Sequence, residues 1–180
     1  MSITQTAQAT RRTLLAIAIL VVAIAGTGIG MSRAADACSD TICVEQAWAR
    51  ATPPGAQNAA VYFSIINNDH ADDAVSSIST PTAAQAMLHQ TTISGGVARM
   101  EMLQKLRIPA HGRVVLTPRS YHVMLTGLKA PLKQGMAIPV TVHLASGRML
   151  QVDVPVLGVA ALGPASSTSP AFAESGRAHH

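Results

Sequence analysis

Short runs of alternating apolar and polar residues, separated by turn signals, fill the middle of this chain. Alternation with a period of two is typical of strands that bury one face. Turn signals such as Pro53-Pro54-Gly55, Ser94-Gly95-Gly96 and Ser146-Gly147 are spaced as antiparallel strands require. The pattern predicts an all-β antiparallel sandwich, cupredoxin-like or Ig-like. Its strands are expected at 44–50, 59–66, 74–79, 83–91, 97–103, 114–116, 121–125, 138–144 and 149–154.

The N-terminal segment reads as an export signal. Arg11 and Arg12 precede an apolar stretch, and small residues follow it, so cleavage is expected near Ala34 or Ala37. The alternative is an uncleaved anchor, because the stretch approaches the roughly 20 residues that span a bilayer. Its alanine- and glycine-rich end favours cleavage. We therefore expect a periplasmic protein, exported by the Sec or the twin-arginine route, with no stable membrane span after cleavage.

The C-terminal segment differs from the domain in composition. From Gly158 onward Ala, Gly, Ser and Pro dominate, and the chain ends in His179-His180. Such a segment has too little apolar periodicity to pack on a core. The predicted organisation is a signal peptide over 1–37, a β-sandwich domain over 38–158 and a flexible tail over 159–180.

The charge pattern argues against a nucleic-acid partner. The formal net charge is +4, but three of the 13 Lys and Arg residues fall within the first 33 positions, leaving ten against nine Asp and Glu. The remaining charges form no basic run, so the footprint of nucleic-acid binding is missing. No nucleophile motif, phosphate loop or informative pair of carboxylates is present either. We expect a protein that is not an enzyme.

The two cysteines, Cys38 and Cys43, follow the predicted signal directly. In an oxidising compartment such a pair favours a small structural disulfide. A thiol redox pair, a metal site and lipid attachment at Cys38 are the alternatives. The missing C-x-x-C spacing and the lack of a strong lipobox count against them.

Histidine and methionine are concentrated in the middle of the domain. If Gly95-Gly96 form a two-residue hairpin, Thr91 pairs with Met100 and His89 with Met102. Side chains alternate along a strand, so these side chains and Met87 then share one face. His122 and Met124, two residues apart, also point the same way.

This donor set suits Cu(I), a soft ion that selects sulfur and accepts imidazole. Glu101 is the only acid between Asp73 and Asp153, so oxygen-preferring ions find few ligands here. For any single methionine a core role remains the default, because methionine fills gaps in cores. Ordinary surface or core roles are likewise expected for His70, His111 and His143.

Several segments resemble the PCu(A)C family of periplasmic copper chaperones over roughly 44–144. They are Trp48 to Gly55, Ala60-Val61-Tyr62-Phe63, Leu88-His89, Gly96 to Met100 and His122-Val123-Met124. The family pattern is a His, a Met about ten residues later and, after a gap, His-x-Met. The resemblance therefore implies the ligands His89, Met100, His122 and Met124, and it selects Met100 over Met102. Arg119-Ser120 depart from the pattern, since glycines often stand there.

The resemblance further implies a cupredoxin-like fold. We expect a monomer that carries one Cu(I) per chain, with weak binding of Cu(II) left open. The resemblance also implies delivery of copper to the binuclear copper centre of cytochrome c oxidase, alongside a thiol-bearing copper assembly factor. Alternatives are a structural or partner-binding exported sandwich, or a copper storage or detoxification protein. A blue-copper carrier is disfavoured because residues 44–159 contain no Cys ligand.

Overall fold

The fold is built from strands alone. The computed structural model describes residues 36–164, and within that range the chain forms strands and turns with no helix, so none could cross a membrane. The predicted all-β class is confirmed. The strands are β1 (Ala37–Ser39), β2 (Ile42–Arg50), β3 (Asn58–Asn67), β4 (Asp73–Ser79), β5 (Ala83–Ser94), β6 (Val97–Leu103), β7 (Leu106–Ile108), β8 (Arg113–Val115), β9 (Tyr121–Leu128), β10 (Ala137–Leu144) and β11 (Met149–Leu157).

The strands follow one hydrogen-bonded path that folds into two layers. The first sheet has the order β6-β5-β9-β3-β2, with β1 paired to β2 and β8 paired to β3. The second has the order β11-β10-β4-β7. Apolar side chains from both, such as Val61 and Val123 from the first and Val140 and Val152 from the second, form one buried core. The predicted sandwich is confirmed.

Strand β11 belongs to both sheets. It pairs with β10 as far as Pro155, and its last residues, Val156 and Leu157, pair parallel to Ala49 and Arg50 of β2. The sequence pattern predicts an end at Val154, because a proline lacks the N–H that a strand interior needs. Pro155 is tolerated because it lies where β11 changes partner.

The nine predicted strands are all present, and β6 has the predicted bounds. Two further strands, β1 and β7, were not predicted. Each has only three residues. The predicted signal peptide lies outside the described residues up to position 35, and the predicted tail lies outside them from position 165.

A bulge in β2 decides which side chains reach the outer face of the first sheet. Before it, Ile42 and Val44 point into the core. The register with β3 shifts between Glu45 and Trp48, with Gln46 at a φ of 54°. The extra residue reverses the alternation, as bulges do. Consequently Ala49 faces the core opposite Val61, while Trp48 and Arg50 point outward.

Candidate metal centre

The hairpin of β5 and β6 has the register predicted from its two glycines. Gly95 and Gly96 both have positive φ, 57° and 79°, as a tight two-residue turn requires. Thr91 lies opposite Met100, and His89 lies opposite Met102. That register is confirmed, and it fixes which face of the hairpin carries the soft donors.

Strand β9 brings the remaining candidates to the same face. His122 lies opposite His89, and Met124 lies opposite Met87. Residues of opposite parity on these strands, such as Leu88 and Val123, are buried in the core. Because side chains alternate, the His and Met side chains all belong to the outward face of the first sheet. The strands thus bring the four predicted ligands onto one surface.

His89 and Met100 are in direct contact. The His89 Nδ1 lies 3.3 Å from the Met100 Sδ. With the metal–ligand bonds of zinc as a guide, about 2.0 Å to nitrogen and 2.3 Å to sulfur, two donors on one tetrahedral ion lie about 3.5 Å apart. The two atoms therefore have the separation that one shared ion requires. Burial and the neighbouring His122 hold the pKa of His89 below its ordinary value, which favours the neutral imidazole that can donate to a metal.

His122 is buried, with 5% of its surface exposed, and its ring orientation is fixed from behind. Its Nδ1 donates a hydrogen bond of 3.1 Å to the carbonyl oxygen of Ser120. That carbonyl also accepts the backbone N–H of Thr91. A carbonyl can only accept, so Nδ1 carries a proton, and Nε2 is the nitrogen that would bind a metal. Hydrogen bonds of this kind orient histidines that bind metals.

A cavity of about 800 Å³ opens over this part of the sheet. Its lining includes Met100, His122 and Met124. His89 is not part of the lining, but its side chain contacts that of Met100. Met102 and Met87 instead line a separate cavity of about 150 Å³ beside β4. The two methionines of β6, Met100 and Met102, thus line different cavities.

Exposure separates these methionines from core residues. Met100 is 54% exposed and Met102 is 57% exposed. A gap-filling role, the default for a single methionine, would require burial. For these two residues the core alternative is wrong.

Aromatic side chains support the site from the neighbouring strands. The rings of Trp48 and Tyr62 are 4.6 Å apart, and Tyr62 lies 6.5 Å from the His122 ring. The Arg50 guanidinium lies 5.7 Å from the Trp48 ring centroid, which is within cation–π range. Arg50, Tyr62 and Arg119 all belong to the cavity lining.

The two arginines of the lining have no counterpart among the site residues predicted from the sequence. Arg50 reaches the outer face only because of the bulge in β2, which no glycine marks in the sequence. Arg119 stands before the His-x-Met segment, and its departure from the glycine pattern was the one available signal.

The remaining histidines and cysteines lie elsewhere. His70 and His111 hydrogen-bond each other at 2.9 Å, and His143 bonds Ser79. Cys38 and Cys43 form the predicted disulfide, which is confirmed. Within residues 36–164, no three His, Cys, Asp or Glu side chains come together as a metal site. A metal centre in this range therefore depends on the methionines.

Comparisons with known proteins agree with this architecture. Residues 42–156 match a family whose description reads "Putative lipoprotein LpqE-like". A protein of Leifsonia xyli, described as "Putative lipoprotein Lxx21020", is 35% identical over 120 residues, which cover 66% of this chain and 70% of that protein.

Two solved structures share the fold. An apo PCuAC domain of PmoF2 superposes with a TM-score of 0.61 at 20% identity, covering 71% of this chain and 98% of that one. The solution structure of CuI-DR1885 from Deinococcus radiodurans has a TM-score of 0.52 at 39% identity, covering 62% and 74% of the two chains. The family match extends over most of the domain, and the fold is that of PCuAC domains. This chain therefore belongs to the LpqE-like family and has the fold that its resemblance to PCuAC proteins implied.

Proposed function

We propose that this protein is a metallochaperone that holds one Cu(I) ion on His89, Met100, His122 and Met124 and passes it to another protein. The observation that carries the proposal is the 3.3 Å contact between the His89 Nδ1 and the Met100 Sδ, on a face that also presents His122 and Met124. A relative that is 39% identical has been solved as its CuI form, which supports the choice of ion.

The exposed position of the site suits transfer. Half of the Met100 surface is open, so a partner's donor atom can reach the ion before the thioether leaves. Thioethers need no deprotonation to bind, and they cannot form disulfides in an oxidising compartment. Such a site can hold Cu(I) and still release it.

The acceptor and the location are part of the proposal. We propose delivery to the binuclear copper centre of cytochrome c oxidase, alongside a thiol-bearing assembly factor. The lipoprotein descriptions of the family and of the Leifsonia relative support an exported, envelope-associated protein. The protein acts as a non-enzymatic monomer, with copper as its cargo.

An anaerobic Cu(I) titration against a chromophoric competitor tests the proposal. The parent should hold one equivalent, because the proposal assigns all four donors to one ion. A Met100→Leu/Met124→Leu variant should bind about 100-fold more weakly, roughly 2.7 kcal/mol. Met102→Leu is the matched control, since Met102 lines the other cavity, and it should retain the parent affinity.

Two outcomes of the titration would count against the proposal. A folded parent that binds no Cu(I) would leave a structural or partner-binding sandwich. Loss of affinity in Met102→Leu equal to that in the double variant would contradict the assigned ligands.

A further inference from the structure

We propose that Arg50 and Arg119 form a cationic rim that recognises carboxylates surrounding the copper-accepting site of the partner. The inference rests on the proposed function and adds to it the chemistry of the surface that the partner must present. It is carried by the position of the two arginines, their lack of ion pairs within residues 36–164 and the distribution of acids over that range.

The two arginines lie on the wall of the cavity that holds the candidate ligands. The cavity lining contains both guanidinium-bearing residues and no carboxylate. Three candidate donors, Met100, His122 and Met124, belong to the same lining. A partner that enters this cavity to take the ion therefore meets both positive charges.

Neither arginine is neutralised within the described part of the chain. The ion pairs in residues 36–164 involve Arg107, Arg113 and Arg148 instead. Arg50 is oriented by its Nε–H, which donates to the carbonyl oxygen of Ala161 at 2.8 Å, and by the Trp48 ring beneath it. A guanidinium held in this way keeps its terminal nitrogens for a carboxylate, which it can bind at two points.

Arg119 places a charged side chain at a backbone position that favours glycine. Its φ is 72°, in the left-handed region, where a side chain costs roughly 1 kcal/mol or more. Glycine would remove that strain. Backbone outliers of this kind are concentrated at functional sites. The side chain retained here is a long cation three residues before His122.

No acid is in the cavity lining, and Glu45, which lies on the outward face of β2, is paired with Arg113. Residues 74–152 contain the single acid Glu101. It lies opposite Gln90 in the hairpin, so its side chain is on the face opposite to that of His89 and Met100. Asp69 and Asp72 lie beyond the far end of β3 and bind arginines there. Among residues 36–164 the site thus carries positive charge that no carboxylate of the cavity lining opposes, and a bound Cu(I) would add to it. Such a field speeds the approach of an acidic surface and orients it.

Exposed apolar side chains on the same face provide the remaining contact. Three side chains are each more than half exposed: Ile93, Met100 and Met102. All three lie on the same face of the hairpin as His89. An apolar centre with a charged rim is the usual composition of a protein interface. The partner that fits therefore presents carboxylates around a copper acceptor that is exposed on its surface.

Cu(I) transfer to two synthetic dithiol peptides tests the inference. The peptides share a Cys-x-x-Cys core and differ in flanks of glutamate or of lysine. Transfer from the loaded parent at low ionic strength should be at least about tenfold faster to the glutamate-flanked peptide. Because exposed charges are screened by salt, the ratio should approach one at about 1 M salt.

Variants attribute the preference to the rim. Arg50→Glu/Arg119→Glu should abolish or reverse the ratio. Lys105→Glu/Lys129→Glu changes the net charge equally at residues outside the cavity lining, and it should preserve the ratio. Since thiol pKa values differ between the peptides, each ratio is judged against that of this control.

The outcomes separate the two proposals. Stoichiometric copper binding with equal transfer rates to both peptides would overturn the inference alone, as would an equal loss of preference in the lysine control. A parent that binds no Cu(I) would overturn the proposed function and this inference with it. If the arginine variant fails to fold, the peptide comparison and the salt series on the parent still decide.

Discussion

His89 and His122 face each other across β5 and β9, but their surroundings differ. Their ring centroids are 5.8 Å apart. His122 is buried and bound to the Ser120 carbonyl, whereas His89 is partly open and contacts the Met100 sulfur. Burial first, and the adjacent His122 second, lower the pKa of His89. The lowered pKa favours the neutral His89 imidazole, which can donate a lone pair to a metal.

Cu(I) affinity should fall on acidification, because protons compete with the ion for imidazole nitrogen while thioethers do not titrate. A lowered pKa of His89 means that its proton competes only below the ordinary histidine range of about 6.5. We therefore expect little change just below neutrality and a marked loss near about pH 5. Competitor titrations across this range measure it.

The control for the pH series is His89→Gln, which should lose part of the pH dependence, beside His143→Gln, which should keep all of it. Equal affinity of the parent at about pH 5 and pH 7.5 would contradict imidazole ligation.

At the scale of elements, the β5–β6 hairpin was predictable and the bulge in β2 was not. Two glycines at adjacent positive-φ sites and a period of two determine the hairpin register. The bulge depends on Gln46 adopting a conformation that glycine would favour, and tertiary packing, rather than local preference, holds it there. His89 and Met100 could therefore be placed on one face from the sequence, and His122 with Met124 on another strand. The pairing of β9 with β5 that joins the two pairs, and the side of the cavity formed by Arg50, could not be predicted.

The disulfide joins β1 to the start of β2, away from the site. Cys43 pairs with Ile66, four residues along β3 from Tyr62, about 13 Å at the usual rise. Replacing both cysteines by serine should lower the free energy of unfolding by about 2 kcal/mol, as a short closed loop predicts. Cu(I) affinity should not change.

Urea unfolding and Cu(I) titration of the Cys38→Ser/Cys43→Ser variant measure these two quantities. Reduced parent protein is the matched comparison. A fall in copper affinity that accompanies reduction would revive the alternative of a thiol metal site.

Across the whole molecule, a polar network at the far end ties the two sheets together. Asp73 of β4 accepts hydrogen bonds from the Ser146 hydroxyl and backbone N–H in the β10–β11 turn. Arg148 contacts Asp73 and also bonds Thr41 between β1 and β2, and Asp69. Burial alone would raise the pKa of Asp73, but the hydrogen bonds from Ser146 and Ala74 and the charge of Arg148 outweigh it and lower the pKa.

A lowered carboxyl pKa stabilises the folded state above the unfolded value of about 3.9, and this contribution is lost as pH falls through the folded value. The free energy of unfolding of the copper-free protein should therefore decrease towards about pH 3. Asp73→Asn should be less stable at neutral pH by about 2 kcal/mol and should show a flatter acid limb in urea unfolding.

Asp153→Asn, which removes an exposed carboxylate from β11, is the comparison and should follow the parent curve. An Asp73→Asn protein with the full acid dependence of the parent would show that this network does not cause it.

The double membership of β11 has a consequence for timing. All four candidate ligands precede residue 125. Arg50, in contrast, lies in a strand that pairs with Val156 and Leu157, and its Nε–H donates to the carbonyl oxygen of Ala161. Pairings this distant along the chain form late. A growing polypeptide thus has its copper donors long before it has the wall beside them. The wall that Arg50 forms beside the candidate ligands is therefore complete only after the last strand has closed the fold.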